Sequence, residues 1–273
     1  MSPLALEGKV AFITGAARGQ GRSHAVRFAA EGADIIVVDI CRDIETVPYG
    51  LASVADLDET VRQVRARGRR IVASPIDVRD KTCLEEFVRH AVGILGRLDV
   101  VVANAGIAPL EISPTNASET WRDVLDVNLT GVFNTLQAAI PSLISSGDGG
   151  SIVITNSTAG LKGTLAMKTV GGYGYTAAKH GLVGLMRAFA YDLAEYSIRV
   201  NSVHPTGVET PMVMNDMLDQ LMTNRDLSAW TNLLPIGRLQ PSDVTDAVVW
   251  LVSDAARYIT GVALPIDAGF TVK

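Results

Sequence analysis

The sequence is poor in the residues that build metal sites and disulfide frameworks. Its 273 residues include two cysteines, Cys41 and Cys83, and four histidines. The cysteines form no C-x-x-C pair and no metal-like cluster with the histidines, so no metal is expected. There is no excess of basic residues either. The net charge of −5 argues against a nucleic-acid or anionic-membrane surface. The one basic run, Arg65, Arg67, Arg69 and Arg70, closes an expected helix, where cations suit the negative end of the dipole. No apolar stretch approaches the length of a membrane span. The first strand is expected near Lys9, which leaves no room for a signal peptide, so a reducing, cytoplasmic location is expected. Linkers, repeats and low-complexity segments are also missing, and residues 1–273 read as one domain.

Apolar residues are plentiful, at 48%, and fall in short β-rich runs that alternate with helical ones. Strands are predicted at about 9–14, 34–39, 70–76, 98–103, 150–156, 198–203 and 262–266. Helices are predicted at about 20–31, 55–67, 81–95, 118–145, 175–195 and 241–252. Most strands are near-continuous apolar runs, such as Ile35–Val38 and Val100–Val102, as in parallel strands covered on both faces. The alternation implies an α/β, single-domain Rossmann fold: a doubly wound seven-stranded parallel sheet with helices on both faces. Two stretches exceed that plan. An insertion at about 40–55 delays the helix after the second strand, and about 206–239 holds no core strand. Long irregular segments inside a compact domain are usually functional or mobile.

Residues 10–21 read VAFITGAARGQG, an apolar run followed by Gly15, Arg18, Gly19, Gln20 and Gly21 at the start of a helix. Glycines let the chain turn sharply and let a pyrophosphate approach the helix N-terminus without a Cβ in the way. A tight strand-to-helix turn without a ligand uses the same residues, so the context decides. Asp39 ends the second strand, followed by Ile40. A carboxylate there accepts hydrogen bonds from an adenosine ribose. It also repels a 2′-phosphate, since two like charges at roughly 4 Å cost about 4 kcal/mol at an effective dielectric near 20. NAD is therefore favoured over NADP, with Arg18 and Arg42 as the residues pulling the other way. Asp77 and Val78 follow the third strand; Asn104, Ala105 and Gly106 follow the fourth. Both groups lie at carboxyl ends of strands, where open α/β sheets bind ligands. Asn104 is placed to bridge neighbouring backbone segments.

Tyr175 and Lys179 stand at i and i+4, on one face of the helix that Tyr175 is expected to begin. An ammonium near a phenol favours phenolate and lowers its pKa, giving an acid/base usable near neutral pH. Ser157 follows the fifth strand and is placed to hold a substrate oxygen. Asn128 sits inside a helical run, where asparagine has poor propensity; a side chain or carbonyl bound to water would explain it. Tyr173 is a rival phenol, but the residue four positions on is Ala177, not lysine.

Together these pieces resemble the short-chain dehydrogenases/reductases over essentially the whole chain. The carriers are Thr14-Gly15-x-x-x-Gly19-x-Gly21, Asn104-Ala105-Gly106, Asn128, Ser157, Tyr175-x-x-x-Lys179 and the stretch from Pro205 to Thr210. The resemblance implies a tetrad of Asn128, Ser157, Tyr175 and Lys179, in which Tyr175 exchanges the hydroxyl proton and Ser157 polarises the oxygen. Lys179 tunes Tyr175 and holds the nicotinamide ribose, and Asn128 supports a water relay. Pro205, Val208, Thr210 and Met212 are expected against the nicotinamide end of NAD.

More narrowly, GAARGQGRSHAVRFA, VVDIC, DIETVPYGLAS, STAGLKG and VHPTGVETPM resemble the carveol dehydrogenase-like, mycofactocin-coupled actinobacterial subgroup. That implies an insertion lying over a tightly held NAD, re-oxidised in place by a separate redox carrier, and a homotetramer. The sequence departs from the wider pattern at Asn156, at Thr206 and in a stretch from Ser157 to Tyr175 that is about five residues longer than usual.

Met212, Met214, Met217, Leu218, Leu221 and Met222 form an apolar stripe, expected as a lid over an apolar substrate. Leu182, Val183, Leu185, Met186, Phe189, Ala190 and Leu193 give helix 175–195 broader apolar coverage than one buried face needs, so its extra face is expected to meet a partner subunit. The expected activity is NAD-dependent interconversion of a hydrophobic, carveol-like secondary alcohol and its ketone. The rival is reduction of a 3-oxoacyl thioester on a carrier protein, with Arg122 and Arg187 as candidate entrance cations. A non-catalytic nucleotide-sensing scaffold would have no use for Tyr175 and Lys179 together.

Overall fold

The computed structural model describes residues 4–111, 113–163, 168–216, 218 and 231–273. Seven strands form one sheet: β1 (Val10–Thr14), β2 (Asp34–Asp39), β3 (Ile71–Pro75), β4 (Val100–Ala103), β5 (Gly150–Thr155), β6 (Ile198–Pro205) and β7 (Ala263–Ile266). Their order is β3-β2-β1-β4-β5-β6-β7, and every pairing is parallel. The expected sheet is observed.

Successive residues of each central strand feed opposite cores, because side chains alternate across a sheet. Phe12, Ile36, Val101 and Ile152 face one core with Leu84, Leu136 and Met186. Ile13, Ile35, Val102 and Val153 face the other with Phe28, Leu57 and Val248. This is why the strands read as unbroken apolar runs. The helices are α1 (Gly19–Ala30), α2 (Val54–Arg65), α3 (Lys81–Leu95), α4 (Ala117–Leu125), α5 (Gly131–Ser146), α6 (Val170–Asp192) and α7 (Pro241–Val252).

Two helices depart from expectation. The run 118–145 is split: α4 passes into a π turn, Asp126–Thr130, before α5 begins. Asn128 lies in that wider turn. The helix carrying Tyr175 begins five residues earlier than expected, so Tyr175 lies in its second turn rather than at its start. Thr169 caps it by accepting from Gly172 N at 3.0 Å. Gly171 is needed there because a Cβ would fall 1.7 Å from Pro109 O. Three glycines in four residues look like a loop in sequence, but here Gly171 packs on Pro109 and Gly174 on Val124 and Trp121 of α4.

The chain runs from β1 to β2 and β3 on one side, then crosses to β4 on the other. The crevice between β1 and β4, at their carboxyl ends, is the switch point where such sheets bind ligands.

Candidate active site

The segments that follow β1, β2, β3 and β4 border this crevice. After β1, Gly15 and Gly19 have φ of 65° and 57°, the left-handed region that favours glycine. A Cβ on Gly15 would sit 2.8 Å from Ala105 Cα, and one on Gly21 would sit 2.1 Å from Gly15 O. The N-terminus of α1 has no side-chain cap, so its backbone N–H groups are open to an anion. Gln20 Oε1 is buried without a hydrogen-bond partner in the protein. A bare helix end, glycine cradles and an orphaned acceptor fit a dinucleotide that carries both phosphates and hydroxyls.

The cleft and the solvent at its mouth together span about 870 Å³. Gly15, Arg18, Gly19, Gln20, Asp39 and Ile40 line one wall; Asp77, Val78, Asn104, Ala105 and Gly106 line the next. Thr210 and Met212 close the far side. Of the remaining expected cofactor residues, Gly21, Tyr175, Lys179, Pro205 and Val208 do not line this cleft. Gly21 packs beneath the loop, Pro205 ends β6, and Val208 is buried in a bridge to Leu239. Sequence reasoning missed Ile44, Tyr49, Leu51 and Ala52 of the insertion, with Ile107 and Val127, all of which line the cleft. The signal was available: apolar residues and one tyrosine spaced along a loop that also carries Arg42, Asp43 and Glu45.

The insertion is a packed strap. Ile44 and Val47 are buried. Tyr49 Oη accepts from Ala108 N at 2.9 Å, Arg18 donates to Gly50 O at 2.6 Å, and Asp43 accepts from Leu51 N at 2.7 Å. Thr46 donates to Asp123 on α4 at 2.6 Å. Burial pushes the Tyr49 phenol above its ordinary pKa. Arg18 and Arg42, weighed as partners for a 2′-phosphate, are occupied here by Gly50 O and by Asp77 at 3.4 Å.

Asp39 is buried, and its Oδ2 accepts from Ala17 N at 2.9 Å. Burial holds its carboxyl above the usual range, against the pull of the Ala17, Cys41 and Ile40 N–H groups. For Asp77, burial is outweighed by hydrogen bonds from Arg79, so its carboxyl lies below the usual range. Asn104 bridges as expected: Nδ2 donates to Thr14 O at 3.0 Å and Gly15 O at 3.2 Å.

Ser157, Tyr175 and Lys179 meet beyond β5. Lys179 is buried, its Nζ donating to Thr155 O at 2.9 Å and lying 5.5 Å from the Tyr175 ring centre. Ser157 Oγ accepts from Ala159 N at 3.1 Å, and the Ser157 hydroxyl stands close enough to the Tyr175 phenol to act on its pKa. Tyr173, the rival, is 54% exposed.

One electrostatic expectation is reversed. Burial raises the Tyr175 phenol above its ordinary pKa, opposed by the nearby Ser157 hydroxyl. Burial also lowers Lys179 to about 7, so it carries less charge with which to favour phenolate.

Asn128 is held against the segment after β4. Its Oδ1 accepts from Ile107 N at 2.9 Å and its Nδ2 donates to Ile107 O at 2.8 Å. The side chain thereby clamps both peptide groups of Ile107. The π turn it occupies is closed by Gly131 N donating back to Asp126 O.

A family model described as enoyl-(acyl carrier protein) reductase matches residues 15–271. The chain belongs to the short-chain dehydrogenase/reductase family. It is 47% identical to (−)-trans-carveol dehydrogenase of Rhodococcus erythropolis over 279 residues, covering 98% of this chain and 99% of that protein. The crystal structure of carveol dehydrogenase from Mycobacterium avium in complex with NAD superposes with a TM-score of 0.92 at 46% identity, covering 98% of this chain and 99% of that one. A 3-oxoacyl-[acyl-carrier-protein] reductase of Thermotoga maritima is 35% identical over 268 residues, covering 98% of this chain and 99% of that protein. The short-chain dehydrogenase/reductase described here is an NAD-dependent oxidoreductase.

The substrate side is less complete. Met212 and Met214 border the segment after Thr210 and Leu218 is buried, whereas Met217, Leu221 and Met222 lie outside the described residues. The apolar face of α6 is largely consumed within one chain: Leu182, Val183, Met186, Ala190 and Leu193 are buried, and Leu185 and Phe189 are partly so. Trp121, Phe133, Tyr173 and Tyr191 are among the large side chains left exposed on α4, α5 and α6. No described helix is long and apolar enough to cross a membrane, and no metal-like cluster occurs among the described residues.

Proposed function

We propose that the protein interconverts a hydrophobic, alicyclic secondary alcohol of the terpenoid kind and its ketone, with Tyr175 as general acid/base. One observation carries the reading: a buried lysine, a partly buried phenol and a serine hydroxyl converge at the carboxyl edge of the sheet, beside the NAD cleft. NAD supplies the hydride acceptor when bound. In oxidation Tyr175 Oη takes the hydroxyl proton, and in reduction it returns it. Ser157 Oγ–H holds the substrate oxygen. Lys179, anchored at Thr155 O, holds the nicotinamide ribose, and Asn128 keeps the π turn in register with Ile107.

The α1 loop takes the pyrophosphate and Asp39 the adenosine ribose. Asp77, Val78 and Asn104 to Gly106 form the wall, and Pro205, Val208, Thr210 and Met212 serve the nicotinamide end. The substrate class is supported by the name of the Rhodococcus relative and by the apolar Met212, Met214 and Leu218. The 3-oxoacyl thioester reading keeps second place, since α4 and α6 pack together and carry exposed Arg122 and Arg187.

The strap ties at Ala108, Gly50 and Asp123 support an NAD that stays bound and is re-oxidised in place by a second redox carrier of the mycofactocin kind. Exposed Trp121, Phe133 and Tyr173 support a homotetramer.

Replacing Tyr175 by Phe is expected to cut carveol turnover by about 10²–10⁴-fold, the usual worth of a positioned acid/base. Normal turnover in that variant sinks the assignment. Protein purified without added cofactor is expected to release near-stoichiometric NAD on denaturation and to use free NAD poorly. Cofactor-free protein that turns over freely with added NAD rejects retention.

A further inference from the structure

Ser157 is gripped by its peptide groups between two buried side chains. Asn156 is 2% exposed and His204 is fully buried. Asn156 Oδ1 accepts from Ser157 N at 2.9 Å, and Asn156 Nδ2 donates to Lys179 O at 3.0 Å. On the other side, His204 Nδ1 lies 2.8 Å from Ser157 O and His204 Nε2 lies 2.8 Å from Ser202 Oγ. A carbonyl only accepts, so Nδ1 carries the proton and Nε2 accepts from the Ser202 hydroxyl. Burial lowers His204 to about 4, which keeps this neutral tautomer across the neutral range.

The joint between β5 and α6 is thus crossed twice. Lys179 Nζ donates to Thr155 O, and Asn156 Nδ2 donates back to Lys179 O. The space is closed tightly: a Cβ on Gly160 would fall 2.7 Å from both Asn156 Oδ1 and Lys179 O. None of Asn156, Gly160, Ser202 and His204 lines the cleft.

We propose that Asn156 and His204 are positioning residues for the hydride-transfer reaction: together they clamp both faces of the Ser157 peptide, and Asn156 locks it to the Lys179 turn of α6. The inference rests on the reading of Tyr175 as acid/base and Ser157 as its hydroxyl partner. Its consequence is electrostatic. The Ser157 hydroxyl is the group that opposes the burial-driven rise of the Tyr175 phenol. A hydrogen bond weakens steeply with misalignment, so a loosened Ser157 lets the phenol rise further. The titratable groups facing Tyr175 are Lys179 from its own helix and Tyr49 from the strap. Those facing His204 are Lys179 and His180. The clamp variants alter none of these.

The test is single-turnover reduction of enzyme-bound NAD by carveol, or by the alicyclic alcohol that the wild-type protein oxidises fastest, followed across pH. In His204→Leu and Asn156→Ala the rate is expected to fall about ten-fold or more, and its rising limb to move up by about half a pH unit or more. NAD affinity, read by equilibrium dialysis, is expected to stay within about two-fold. His204→Asn sets an amide N–H where Nδ1 stands and restores rate and limb; His204→Gln, whose amide stands where Nε2 does, restores neither.

The Asn and Gln pair carries the test if the apolar variants fail to fold. A wild-type pH limb in His204→Gln, with Tyr175→Phe inactive, overturns the clamp alone. Normal turnover by Tyr175→Phe overturns the underlying reading and the clamp with it.

Discussion

Asp39→Asn is the sharpest probe of how the cleft chooses its cofactor. The substitution keeps the shape, and an amide oxygen can still accept from Ala17 N, where Asp39 Oδ2 now accepts at 2.9 Å. It removes the charge. Two consequences follow, with opposite signs for the two dinucleotides. A hydrogen bond from a ribose hydroxyl to a carboxylate contributes about 1.5–3 kcal/mol, so kcat/KM for NAD should fall roughly 10–150-fold. For a 2′-phosphate the carboxylate is a repeller, at about 4 kcal/mol per unit charge at roughly 4 Å and a dielectric near 20. Loss of that repulsion raises kcat/KM for NADP, helped by Arg18 and Arg42, whose present partners are Gly50 O and Asp77. The NAD-to-NADP preference ratio should therefore collapse by about 10³-fold or more. The assay is steady-state oxidation with each dinucleotide, or direct titration of cofactor-stripped protein if bound NAD does not exchange. A ratio that changes less than about three-fold, well under 1 kcal/mol, would refute the assignment of ribose reading to Asp39.

Gly171→Ala is expected to destabilise by more than the usual 1–3 kcal/mol of overpacking, because the new Cβ falls 1.7 Å from Pro109 O. Gly93→Ala, in α3 with nothing within 4 Å of its Cβ, should be neutral or stabilising by up to about 1 kcal/mol; urea midpoints of the two variants check both. Acid should destabilise the fold through His24, whose pKa is lowered by burial to about 3 from 6.5. The unfolded chain binds this proton first, so stability is complete above pH 6.5 and falls as pH drops toward about 3. At pH 4 the loss from this residue alone is about 3 kcal/mol. His24→Asn, which keeps a donor for Thr245 Oγ1, should flatten that limb in urea titrations at pH 7 and pH 4, and an unchanged slope refutes the argument.

The sheet was readable because both faces of every central strand are buried, which makes the apolar runs continuous. Asp39 and the glycine loop were readable because strand ends are fixed once the strands are placed. The π turn was not. Asn128 announces itself only as a poor helix former, and its partner is the backbone of Ile107, which has no signature in sequence. The start of α6 was hidden for a similar reason: Gly171 answers to the Pro109 carbonyl, a contact made across the fold. The phenol's electrostatics failed because helical spacing gives proximity but not burial, and burial governs both Tyr175 and Lys179. Ser202 and His204, two apart on β6, share a strand face, and that spacing was a legible hint of the clamp that passed without notice.

The bare N-terminus of α1 has a thermodynamic corollary. Most helices carry a side chain worth about 1 kcal/mol at that end; here Arg18 stands at the cap position and its side chain makes no capping bond. The dinucleotide is then part of the folding equilibrium. At a hundred times its dissociation constant it adds about 2.7 kcal/mol to stability. Empty protein is the weaker molecule, and the cost of letting the cofactor go is written into the melting curve as well as the catalytic cycle.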